Sequence, residues 1–359
     1  MNRGRASGVD DQRGSADVAH AGAALPLLGH EPLLNQLRSA LERDRFHHAW
    51  LVEGPRGIGK HTFALRLAML ANCVHDGPRP CGVCASCAPI LSGNHPDVVT
   101  LEPDPTRASG TIPVAAVREL LGKLAYKRFA AQWRVVIVDP VEALLPAAAN
   151  ALLKTLEEPP PGTAFVLCTT GARTLLPTIR SRCQILRLGP VPQSTLSAWL
   201  AERGVANPIT LAAQAQGCPG RALALADGGQ DDRVRLRDLL LDALGGDLAT
   251  IYDTSKKLST GQRQSWKAEV DALLDILDDL LRDATVQGAG SEQPLLHPDA
   301  AAVSRAWADV LWPEGTAQAA EAVRRAREQL ARYVNARTAL DALFTTVASL
   351  LGKARSARP

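Results

Sequence analysis

Two groups of residues in this chain have the types and spacing to do chemistry. The first is Gly54-Pro-Arg-Gly-Ile-Gly-Lys60, a glycine-rich run whose backbone N–H groups can wrap phosphates while its lysine reaches the terminal ones. Gly54, Gly57, Gly59 and Lys60 are therefore the candidate phosphate ligands. The residue after the lysine should carry a hydroxyl that ligates magnesium, and here it is His61. Thr62 does not take over, because one step along a helix swings a side chain by about 100°. An apolar run, Val135 to Val138, ends in Asp139, which ATPases of this layout place near the metal. They follow it with a Glu that polarises the attacking water, whereas Pro140 has no ionisable group. The two losses together predict a nucleotide-fold protein that hydrolyses ATP poorly or not at all. Lys60 and the loop backbone keep the capacity to hold phosphate, so binding without turnover stays open, as does a purely structural turn.

The second group is Cys73, Cys81, Cys84 and Cys87. Two successive Cys-x-x-Cys steps let thiolates converge on one tetrahedral cation, and a cysteine-only set of four matches a closed structural zinc site. An iron–sulfur cluster and four unrelated buried thiols are the alternatives. A closed site has no free coordination position, so no catalysis is expected there. Cys168, Cys183 and Cys218 sit in apolar or strand-edge settings and read as packing residues.

Composition limits what can carry these groups. The chain has 359 residues, which suggests two or three domains with ordinary cores. Hydrophobic residues make up 46% and charged ones 21%, as in a globular protein, and the 4% of aromatics makes the cores mainly Leu, Ala and Val. Forty Lys and Arg against 37 Asp and Glu leave +3, so no whole-molecule field announces nucleic acid and any DNA contact must be local. No apolar stretch reaches about 18 residues, and the start of the chain is polar, so a cytoplasmic protein with no membrane partner is expected. Seven cysteines are too few for a secreted disulfide scaffold, which agrees with a reducing compartment.

Residues 1–24 show no helical or strand period and read as a flexible leader. From 25 to 188, short apolar runs alternate with amphipathic ones: Ala49 to Val52, Asp97 to Leu101, Arg134 to Val138, Ala164 to Cys168 and Gln184 to Leu188. Short strands buried on both faces and separated by helices predict a parallel sheet in a three-layer α/β domain. Gly189-Pro-Val-Pro breaks the pattern, and 189–229 reads as a small helical domain. From 230 to 359, Val234 to Leu244, Trp266 to Arg282, Ala300 to Leu311 and Ala317 to Leu351 have helical apolar spacing and predict an all-α bundle.

Three further runs are more specific than the phosphate loop. Asn150-Ala-Leu-Leu-Lys-Thr-Leu-Glu-Glu-Pro-Pro160, Phe165-Val-Leu-Cys-Thr-Thr170 and Ile179-Arg-Ser-Arg-Cys183 together resemble bacterial clamp-loader subunits of the AAA+ family. The resemblance runs from His30 through the second domain and takes in the cysteines and Gly217-Cys-Pro-Gly-Arg-Ala-Leu-Ala-Leu. It implies an AAA+ P-loop domain with a parallel sheet, a small helical lid and an all-α collar that joins gamma/tau and delta subunits in a hetero-pentamer. Such an assembly loads the sliding clamp onto primed DNA during replication. Ser181-Arg182-Cys183 resembles the motif whose arginine reaches into a neighbouring subunit's ATP, which makes Arg182 the candidate catalytic residue, acting in trans. The nucleotide-sensing arginine of active members would align with Gly220, and Arg221 lies one residue off.

The resemblance also implies that the helix Val114 to Leu124, with Arg118, Lys123 and then Lys127-Arg128, lines a channel for duplex phosphates, although a solvated helix face fits it equally. Glu157-Glu158 fall at the end of what the family makes a structural helix. The expected function is that of a non-hydrolysing clamp-loader subunit. Its rivals are an ATP-hydrolysing gamma/tau-type motor and a zinc-dependent DNA-binding module. Any polymerase activity would belong to the holoenzyme, since no acidic metal pair here is arranged for nucleotide addition.

Overall fold

Runs of Val, Ile, Leu and Ala without polar alternation are stable as strands only where both sheet faces are covered. The computed structural model, which describes residues 27–104, 110–129, 131–260, 263–331 and 335–356, has them as β1 (Ala49–Glu53), β2 (Val98–Leu101), β3 (Arg134–Val138), β4 (Thr163–Thr169) and β5 (Gln184–Arg187). The expected leader, 1–24, lies outside the described residues. All pairings are parallel, in the order β2-β3-β4-β1-β5. β3 and β4 are buried throughout, whereas on the edge strand β5 only Leu186 is.

Register then decides what meets at the sheet's carboxyl edge. Glu53 lies opposite both Thr169 and Arg187, and Val138 opposite Leu167. The chain therefore leaves β1 into the glycine loop beside the ends of β3 and β4, at the edge where open parallel sheets bind ligands.

The helices of this part are α1 (Glu31–Glu42), α2 (Lys60–Asn72), α3 (Cys87–Leu91), α4 (Val114–Leu124), α5 (Pro146–Glu157) and α6 (Pro177–Arg180). Pro146 starts α5 at a position where a missing N–H costs nothing. Leu152 and Leu156 of α5, Val117 and Leu124 of α4, and Phe165 and Leu167 of β4 share one core. Val117, Leu120 and Leu124 form the buried face of α4.

Two buried polar clusters pin the layers. Asn72 donates to Ala68 O (3.1 Å) and Trp133 O (2.9 Å) and accepts from Trp133 N (2.8 Å), tying the end of α2 to the start of β3. Asp97 accepts from the N–H groups of Phe129 (2.9 Å) and Ala131 (3.0 Å) and pairs with Arg134 (3.3 Å). Removing either partner of that buried pair would strand the other charge, at about 3–5 kcal/mol.

The chain forms two compact units. One holds the sheet and its helices and takes in Thr111–Leu196 and Gly217–Arg221; the other comprises Ser197–Gln216 and the chain from Ala222 onward. The segment 189–229 is thus divided between them. Its helices are α7 (Gln193–Ala201), α8 (Pro208–Gln214) and α9 (Pro219–Ala224).

The second unit continues with α10 (Gln230–Gly245), α11 (Leu248–Leu258), α12 (Arg263–Gly288), α13 (Ala301–Leu311), α14 (Glu314–Ala331) and α15 (Ala336–Ser356), around a core that includes Leu240, Leu273, Leu277, Leu280 and Phe344. The single helical stretch expected over Ala317 to Leu351 is two helices. Asn335 Oδ1 accepts from the N–H groups of Arg337 (3.0 Å) and Thr338 (3.4 Å) and caps a new start. α11 was not read from the sequence; Asp247 caps it through Thr250 N (2.9 Å). Among the described residues no helix is long and apolar enough to cross a membrane.

Candidate functional site

The glycine loop runs from the end of β1 to the start of α2. Gly54 must be glycine because a Cβ there would lie 2.7 Å from Leu188 O. Gly57 combines a φ of +80° with an equally close approach, since its Cβ would lie 2.9 Å from Arg221 N. Gly220 N–H donates to Gly57 O at 2.8 Å, so the Pro219–Arg221 turn braces the loop from outside. Gly220 therefore supplies a backbone donor to the loop.

Lys60 starts α2, with Nζ donating to Gly54 O (2.8 Å) and Pro55 O (2.9 Å). Burial lowers its pKa, against the pull of Asp139 and Glu142. Its ammonium is folded onto the loop's own carbonyls and would have to swing off them to meet a phosphate.

His61 does more than lack a hydroxyl. Its Nδ1 lies 3.2 Å from Asp139 Oδ2, so the strand-end carboxylate is engaged by an imidazole. That hydrogen bond, aided by the charges of Asp139 and Glu102, raises the His61 pKa above its usual value despite burial.

The nearest acid beyond Pro140 is Glu142, which the sequence reading passed over. Its Oε1 accepts from Thr169 Oγ1 (2.7 Å), Thr170 N (2.8 Å) and Thr170 Oγ1 (3.0 Å). With that oxygen held by three donors on β4 and the residue after it, Glu142 is poorly placed to turn toward a water. Beneath the loop, Cys168 is fully buried and burial pushes its thiol far up, as suits a packing residue.

The four cysteines come together as the spacing predicts. Cys73 ends α2, Cys87 opens α3, and the four Sγ atoms all lie within 4.8 Å of one another. Cys84 N–H donates to Cys81 Sγ (3.3 Å) and Cys87 N–H to Cys84 Sγ (3.4 Å), the pattern that stabilises thiolates. Burial opposes it, but N–H groups of Cys87, Val74 and Ser86 draw the Cys84 thiol down to about 6. Burial pushes Cys87 the other way. A tetrahedral ion with Zn–S bonds of about 2.3 Å needs sulfurs roughly 3.8 Å apart, so these four fit a metal ion with little movement.

Arg182 follows α6. Its Nη1 donates to Thr178 O (2.7 Å) and Ser181 Oγ (3.3 Å), and its Nη2 pairs with Glu157 at the end of α5. Of the cations suggested for DNA, Lys123 pairs with Glu119 (2.8 Å) and Arg128 donates to Gln132 O (2.7 Å), whereas Arg118 and Lys127 are exposed.

The parallel sheet, with the glycine loop between β1 and α2, makes this an α/β domain with a phosphate-loop layout, followed by a helical C-terminal region. Residues 29–192 match the family described as DNA polymerase III, delta subunit. The chain is 37% identical over 217 residues to the DNA polymerase III subunit delta' of Escherichia coli (strain K12), a match covering 59% of this chain and 64% of that protein. It is 38% identical over 176 residues to the tau/gamma subunit of Haemophilus influenzae, covering 49% of this chain and 25% of that one. A solved gamma-subunit-related protein from Thermotoga maritima aligns over 90% of this chain and 98% of its own at 18% identity and a TM-score of 0.40, too distant to carry an argument. The chain thus spans less than two thirds of the curated relatives it matches. Over its matched residues the chain is similar to the delta' and tau/gamma subunits of DNA polymerase III, a likeness that supports a delta-prime-like reading.

A histidine whose pKa is raised in the fold adds stability that is complete below its unfolded value of 6.5 and lost as pH rises through the folded value. NMR titration of the native chain is expected to place His61 above 6.5, and Asp139→Asn to bring it down. A His61 that titrates identically in both proteins would rule out the pair.

Proposed function

We propose that this chain is the non-hydrolysing, delta-prime-type subunit of a DNA polymerase III clamp loader. It lends Arg182 to the ATP bound by an adjacent gamma/tau subunit, while the assembly loads the sliding clamp onto primed DNA. The observation that carries this reading is the His61–Asp139 pair. It stands where a hydrolysing site needs a magnesium ligand and a free carboxylate, and it is joined by Pro140 and by a Glu142 already held by three donors.

A guanidinium placed against a transferring phosphoryl group offsets the charge that develops there and, supplied in trans, is worth on the order of 10³–10⁵ in rate. Arg182 lies outside the loop's own phosphate site and so has no role in holding a nucleotide on this chain. Gly54, Gly57, Gly59 and Lys60 would be the phosphate ligands if the loop is loaded at all.

In this reading 25–188 is the AAA+ domain, 189–229 the lid and 230–359 the collar that joins gamma/tau and delta in a hetero-pentamer, with DNA and clamp reached through the complex. Cytoplasmic location follows from that task. Cys73, Cys81, Cys84 and Cys87 would hold zinc as a fully ligated ion that cross-links the end of α2 to α3 and does no chemistry.

The purified chain alone should hydrolyse ATP negligibly, with or without DNA. Arg182→Ala should leave assembly with gamma/tau and delta intact by size exclusion, yet lower turnover at the one site it serves by on the order of 10³. Turnover by the lone chain that Lys60→Ala abolishes would instead identify a gamma/tau-type motor. Independently, elemental analysis should find about one zinc per chain, with chelation lowering Tm. A metal-free chain of equal Tm would exclude the structural zinc.

A further inference from the structure

α5 ends on an acid, Glu157, in the last turn, where the helix macrodipole disfavours negative charge. The Arg182 guanidinium offsets that cost, although it lies beyond β4 in the chain. This contact has a consequence for what Arg182 can do.

A guanidinium has five N–H donors and clasps phosphate through two parallel ones. Here both Nη1 donors are engaged, by Thr178 O (2.7 Å) and Ser181 Oγ (3.3 Å). Nε is buried against protein without a hydrogen-bond partner. Nη2 points at Glu157, which leaves a single donor free. In this pose Arg182 has no pair of donors to offer a phosphate.

We propose that Glu157 is a latch for Arg182: it parks the guanidinium on its own subunit until a neighbour's triphosphate competes it away. This rests on the reading of Arg182 as a residue that acts in trans, and makes Glu157 a positioning residue that controls its availability. The strength of the pair suits the task. The Arg182 side chain is 30% exposed and that of Glu157 46%, so solvent screens the attraction and the pair is weak. A multiply charged triphosphate outcompetes one half-exposed carboxylate. A single salt-bridge latch of this kind reduces the fraction of competent chains, and so weakens apparent ATP affinity without altering the rate once ATP saturates.

The test uses the loader assembled with gamma/tau and delta, comparing wild type, Glu157→Gln and Arg182→Ala. Glu157→Gln keeps the shape and removes the charge. It should lower the ATP concentration for half-maximal turnover about threefold to fivefold, with kcat unchanged. In the isolated chain, the same variant should speed rotation of the Arg182 guanidinium as seen by side-chain NMR. If Arg182→Ala lowers kcat while Glu157→Gln matches wild type in KM, the latch is overturned and the trans role stands. If Glu157→Gln lowers kcat as Arg182→Ala does, Glu157 holds the working pose instead of a parked one, which also overturns the latch. If Arg182→Ala changes nothing, the trans role fails and the latch with it.

Discussion

The chemistry of this molecule turns on one contact, the hydrogen bond between His61 and Asp139 at the carboxyl edge of the sheet. A carboxylate at the end of a buried parallel strand needs a positive partner, and the identity of that partner decides what the site can do. A divalent cation would bring a polarised water and bridge a triphosphate. An imidazole satisfies the same carboxylate and brings neither. The neighbouring groups follow suit: Lys60 rests on loop carbonyls, Glu142 is held by Thr169 and Thr170, and the Gly220 backbone braces Gly57. Lys60, His61, Glu142 and Gly57 have each found a partner within their own chain.

What remains available for chemistry lies away from the loop. Arg182 is set at the start of β5 by a short helix, and its guanidinium reaches back to the end of α5. On the proposed reading, an inert loop and an outward-acting arginine are two sides of one specialisation. A subunit that never turns over nucleotide need not change shape with it, so its arginine can be held against a fixed frame. The cysteine cluster adds to that frame by joining α2, which grows out of the loop, to α3.

The sequence revealed most of this scaffold, and its failures have physical causes. The central strands were legible because near-continuous apolar runs such as Val135 to Val138 have few other homes. The cysteine site was legible because its geometry is mostly local. By contrast, the partners of Glu142 and Glu157 come from β4 and from the turn before β5, and no local periodicity encodes such cross-layer contacts. His61 was read as a missing ligand, but its bond to Asp139 depends on the strand register that brings the two ends together. The split between α14 and α15 was hidden because helical spacing continues on both sides of Asn335, whose capping role only the backbone shows.

The most direct test is a structure of the assembled loader trapped with a non-hydrolysable ATP analogue. The account predicts Arg182 Nη atoms about 3 Å from the terminal phosphate held by the adjacent subunit, with Glu157 released and no magnesium between His61 and Asp139. An Arg182 still paired with Glu157 and remote from every nucleotide, or a magnesium ion bound at Asp139, would contradict it.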